Sequence, residues 1–148
     1  MQAAERCGAY GIVTTIIQMK RKIIAVNALL FALLFGMISF NKEFLRPRLR
    51  HLPVAGALVG CLPNFLAAFF ISLAPVYAVI TRKPKHGRIL VYSVSIVVFA
   101  VLAMEEVVPV WGASKQYDPF DILASGIGSL LAVLGFELAV WMRKRERE

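Results

Sequence analysis

The chain has 148 residues, 59% of them hydrophobic, a mean hydropathy of +0.70 and a net charge of +8. Soluble domains are about 45–50% apolar, and here the charges are bunched between long apolar stretches, so composition and pattern argue against a soluble domain and for an all-α bundle of membrane spans. The positive balance does not point to nucleic acid, whose binders carry basic residues on a solvated face with aromatic or polar neighbours. These basic clusters sit at the ends of apolar runs, where they set topology and meet anionic lipid headgroups.

Residues 1–22 are mixed and end in Lys20-Arg21-Lys22. Met19 just before that triplet looks like a natural start, so the first 18 residues are expected to be a poorly ordered extension. Residues 23–40 form the first apolar run. A basic segment before an apolar one is also the design of a signal peptide, but Phe40-Asn41-Lys42-Glu43 lacks the small residues a signal peptidase needs. An uncleaved span is the reading.

The second run, Pro53–Ile80, is longer than the roughly 20 residues needed to cross a bilayer. Pro63 and Pro75 within it predict kinks, tilt or an interfacial first turn, and the Asn64 amide is placed to bond carbonyls freed at Pro63. Runs 89–110 and 122–142 complete four spans, followed by the basic tail 143–148. The connections are short, so neighbouring helices should pack antiparallel. Gly56-Ala57-Leu58-Val59-Gly60 is a GxxxG, and Ala124, Gly128 and Ala132 recur every four residues on one helix face; both predict close helix packing.

With four spans, both termini and the middle connection share one side, which holds twelve of the basic residues against five on the other. By the positive-inside rule the termini are expected in the cytoplasm. The other side pairs its five basic residues with five acids, so it is charge-dense yet neutral. Cys7 and Cys61 form no CxxC or Cys/His cluster, and His51 and His86 lack a second ligand at metal spacing. Leu58-Val59-Gly60-Cys61 matches a lipoprotein cleavage site, but a whole apolar segment precedes it, so Cys61 reads as a small residue inside a span.

Chemistry, if any, belongs to the acids gathered on the far side from the termini: Glu105 and Glu106 near the end of span three, Asp118 and Asp121 before span four. Glu106 lies about 27 Å of helix from Arg88, near the headgroup boundary of a roughly 30 Å core. A carboxylate at that depth is costly and is retained where it faces a bundle interior, pairs with charge or serves a site. Adjacent residues diverge by about 100° on a helix, so only one of the two glutamates can face inward well. The plainer roles are also open: Asp121 as a cap of span four, Asp118-Pro119 as turn initiation, a snorkelling glutamate. Arg46, Arg48 and Arg50 could bind lipid phosphates or neutralise the acids. Glu137, on the opposite side, is expected to pair with the basic run after Met142.

The arrangement Glu106…Lys115…Asp118-Pro119-Phe120-Asp121…Ser125…Gly128 resembles the VanZ-like family, small membrane proteins named for a teicoplanin-resistance protein. Their C-terminal half carries a Glu at the end of one span, then Gln, Arg and an Asp-rich turn, then Asn and Gly opening the next. Glu106 takes the Glu position, Asp118 and Asp121 the turn, and Gly128 the Gly; Asn64 and the Pro75 region look like the family's earlier Asn and Pro. Pro109, Lys115 and Ser125 stand where the family has Gln, Arg and Asn, and Lys lacks the bidentate fork that Arg offers a carboxylate or phosphate.

The resemblance implies an outer-leaflet polar site for a lipid-linked or amphiphilic ligand, built from Glu106, Lys115, Asp118, Asp121, Asn64 and Ser125, with a part in glycopeptide resistance. It implies a multi-pass protein of the bacterial cytoplasmic membrane. Membrane lipids, anionic ones included, and other membrane proteins are the expected partners; no nucleic acid, cofactor or metal is expected. The sequence shows no nucleophile–base pair, HExxH or phosphate loop. Two other readings stand beside this one: a structural subunit or assembly factor of a membrane complex, and a headgroup enzyme whose acids hold a divalent cation.

Overall fold

The long first run has no internal proline to stop it and continues further in both directions than its apolar core. In the computed structural model, which describes the backbone of residues 2–107 and 118–146 and the side chains of 15–107 and 118–146, helix α1 spans Gln2–Phe40. The segment expected as an extension is therefore helical from Gln2. Beyond Phe40 the chain stays helical through a π-helical turn, Asn41–Leu45, and the short α2, Arg46–Leu49. The wider turn comes just before Pro47, whose ring would otherwise press on the carbonyl four residues earlier.

A tight reversal at Arg50–Leu52 leads into α3, Pro53–Arg82, with Leu52 extended as the residue before a proline must be. Lys83 ends α3 in the left-handed region, its N–H donating to the Val79 carbonyl at 2.9 Å. Then come α4, Gly87–Val107, and α5, Pro119–Arg145. Four helices are long and apolar enough to cross a membrane, and no strand occurs among the described residues. The chain is an all-α, multi-pass membrane bundle.

Helix α3 is the hub. It packs most extensively on α5, then on α4 and α1, while α1 touches no other membrane helix among the described residues. The α3–α5 seam is the small-residue face read from the sequence. Ala124, Gly128 and Ala132 are buried there, and a β-carbon added at Gly128 would lie 2.5 Å from the Phe65 carbonyl oxygen. The GxxxG behaves differently. Gly56 lies beneath the Arg50 carbonyl of the reversal, whereas Gly60 has open space where a side chain would go. That motif does not make a helix–helix seam among the described residues, since Gly60 has no neighbour there and Gly56 meets the reversal.

Helix α3 runs unbroken through Pro63 and Pro75. Pro63 leaves the Val59 carbonyl, four residues back, without its helical donor. Asn64 does not supply the replacement. Asn41, fully buried in the π-helical turn, donates from Nδ2 to that carbonyl at 3.0 Å. One turn's irregularity on the first helix thus satisfies the defect that a proline creates on the third.

The pairing makes a testable expectation. Asn41→Leu should destabilise the protein by roughly 1–3 kcal/mol, since a buried carbonyl loses its donor. In a Pro63→Ala background, where residue 63 supplies the N–H, the same change should cost much less. Thermal unfolding of the four proteins in one detergent measures the coupling, and additive losses would show that the two sites act separately.

Candidate functional site

The site forms at the end of the bundle away from the termini, where α3 and α5 begin and α4 finishes. Asp118 is extended and accepts the Phe120 N–H at 3.0 Å, so it caps α5. Glu106, reaching from the last turn of α4, accepts the Asp118 N–H at 2.8 Å. The two acids fasten the entry of α5 to the end of α4. Of the two glutamates, Glu106 is the half-buried one and Glu105 is exposed, as the helical spacing requires.

Asp121 sits in the first turn of α5, where the helix dipole favours a carboxylate. It is half-buried against α3, with Asn64 within hydrogen-bonding reach. Its Oδ1 atom is enclosed and has no hydrogen-bond partner among the described residues. Glu106, Asp118 and Arg46 are all close enough for their charges to act on it. Cys61, one turn before Asn64, is close enough for the charges of the same two aspartates to act on it, and donates from Sγ to the Leu58 carbonyl at 3.3 Å.

Arg46 also lines a cleft of about 690 Å³ between the π-helical turn and α3, together with Lys42, Arg50 and the open flank of Gly60. The end of the bundle therefore presents three carboxylates over α3–α5 and a cationic cleft over α1–α3, with Arg46 shared between them. Guanidinium suits phosphate or carboxylate, while the unspent carboxylate oxygens accept from N–H or O–H donors.

Of the residues singled out from sequence, Glu106, Asp118, Asp121 and Asn64 are brought together. Ser125 lies under the group, buried, with its hydroxyl donating back to the Asp121 carbonyl at 2.9 Å, so it braces the helix and does not face the site. Lys115 and Pro109 lie outside the described residues. Arg46 was legible as a neutraliser of the acids. Cys61 was not legible as a neighbour of them, because nothing in an apolar run marks which of its residues will face a carboxylate on another helix.

No known protein family, characterised protein or solved structure matches this chain. Among the described residues no group of three or more His, Cys, Asp or Glu side chains is arranged to hold a metal ion.

At the other end of the bundle Glu137 pairs across helices with Arg88, at 3.2 Å, and accepts from the Tyr92 hydroxyl at 2.7 Å. Among the described residues it does not pair with the basic run that follows it. Arg143 in that run turns instead to the Ile80 carbonyl, at 3.0 Å, near the C-terminus of α3 where a cation is favoured. Glu137 is thus satisfied within the bundle, whereas Asp121 has a buried oxygen without a partner among the described residues.

Proposed function

We propose that this protein holds the polar part of a lipid-linked or amphiphilic molecule at the bundle end formed by Asn64, Glu106, Asp118 and Asp121. The observation that carries the reading is Asp121 Oδ1, a buried carboxylate oxygen with no partner among the described residues, flanked by two more acids. Such an oxygen is costly unless a donor reaches it. The ligand class is therefore an amphiphile with an amino or polyhydroxyl headgroup, its apolar part lying among the lipid-facing side chains. The binding residues are Asp121, Asn64 and Glu106, with Asp118 holding the turn and Lys115 on the adjoining connection.

The motif resemblance to VanZ-like proteins agrees with that ligand class, and a contribution to resistance against teicoplanin-type glycopeptides in a bacterial cytoplasmic membrane follows from it as part of the proposal. The test is lipid retention. Protein purified in mild detergent should carry a headgroup-selective lipid that Asp121→Asn loses while still accumulating in the membrane. Equal lipid content in both proteins would refute the reading.

The orientation belongs to the same proposal, with the termini and the Lys83–Arg88 connection in the cytoplasm. In a background lacking Cys7 and Cys61, a single cysteine at Lys115 should react with an impermeant thiol reagent in intact cells. One at Lys85 should react only after lysis. Labelling at Lys85 in intact cells would invert the arrangement.

A second reading has one observation in its favour. Among the described residues α3 is the one membrane helix that α1 packs on, and side chains such as Ile24 and Phe35, each 67% exposed, lie on an open flank. A subunit or assembly factor would cover that flank with another membrane protein, and a stoichiometric partner on purification would favour this role.

A further inference from the structure

The end of the bundle opposite the acids carries a second built cleft. It has a volume of about 620 Å³, lies between the ends of α3, α4 and α5, and is floored by Val79, Ile80, Phe136 and Val140. The floor is well packed: Phe136 is 2% exposed, Val79 is 6% exposed, and both belong to one cluster with Val76 and Val91. The rim is formed by the connection from Lys83 to Arg88 and by the start of the tail. Every charged side chain that lines the cleft is basic.

Several features point to one occupant. The α4 N-terminus opens on the cleft through Gly87 and Arg88, adding the positive end of a helix dipole. Arg88 uses one nitrogen on Glu137 and Arg143 one on the Ile80 carbonyl, which leaves further donors on each guanidinium. Lys83 and Lys85 are exposed on a loop pinned by the left-handed cap and Pro84. Ile89, at the mouth, is 62% exposed, so an apolar flank adjoins the cationic rim. The cleft adjoins the first turn of α4, where the basic connection gives way to an apolar helix.

We propose that this cleft is a binding site for an anionic phospholipid, with the headgroup phosphate on Lys83, Lys85, Arg88 and Arg143 and an acyl chain along Val79, Phe136 and Val140. Basic pockets between membrane helices suit such headgroups, and the apolar floor distinguishes this one from a site for a free anion. The cleft is independent of the acidic site, which lies at the other end of the bundle, and its failure would leave that reading untouched.

Native mass spectrometry of the full chain with phosphatidylglycerol, phosphatidylcholine or inorganic phosphate tests the proposal. Phosphatidylglycerol should be retained about tenfold better than phosphatidylcholine, a difference of about 1.4 kcal/mol. The exposed double variant Lys83→Gln/Lys85→Gln should lose that preference. Lys20→Gln/Arg21→Gln, which removes the same charge from α1, should keep it. Val140→Trp, which fills the floor and leaves the charges, should weaken retention of the lipid. Equal retention of the two lipids, an equal loss in the α1 variant, or displacement of the lipid by inorganic phosphate would each overturn it.

Discussion

Gly128→Val is expected to cost the protein about 3 kcal/mol or more, or to prevent its accumulation in the membrane. The β-carbon alone would stand 2.5 Å from the Phe65 carbonyl oxygen and 3.1 Å from both the Ala68 β-carbon and the Phe69 nitrogen. Two of those three atoms are backbone and cannot rotate away, so α3 and α5 must separate. Separation would also undo the contacts of Ala124 and Ala132, which lie on the same face at one-turn intervals. Gly135→Val is the control, since nothing lies within 4 Å of the position a side chain would take. Its unfolding midpoint should stay near that of the unaltered protein. Similar losses at both glycines would mean that the α3–α5 seam is not what the small residues serve.

The spans, their number and the α5 packing face were legible because each rests on a strong local signal: run length, flanking charge, and small residues at a spacing of four. The inward glutamate was legible only as one of two, and the structure selects Glu106. What escaped is long-range. Asn41 directly follows the first apolar run, a π-helical turn has no simple composition signal, and the bond to Val59 joins residues 18 apart in sequence. The choice between Asn41 and Asn64 as partner of the freed carbonyl depends on how α1 docks, which no single run encodes. Likewise Glu137 chose Arg88 on a neighbouring helix over the basic residues next to it in sequence, because bundle geometry brings the α4 entry alongside it.

The second large effect concerns Asp121. Replacing it with Asn retains the shape and the reach of Asn64 while removing the charge that a donor-bearing headgroup would meet. Ligand binding should be abolished with the fold intact. Glu106→Gln should act more mildly, because the amide oxygen can still accept the Asp118 N–H that the carboxylate accepts now. Glu137→Gln, which alters an ion pair whose side chains are 63% and 33% exposed, should change stability by about 0–1 kcal/mol and binding not at all.

Cys61 offers the most direct reading of the site, since it lies on α3 within the reach of the charges of Asp121 and Asp118. The measurement is its alkylation rate by a membrane-permeant maleimide, in Cys7→Ser protein, with and without total lipid extract from the producing cells. The extract should slow alkylation severalfold in protein with Asp121 intact, and equally in Glu137→Gln, but not in Asp121→Asn. Unchanged rates in the first, or the same protection in Asp121→Asn, would contradict a ligand site at this end of the bundle.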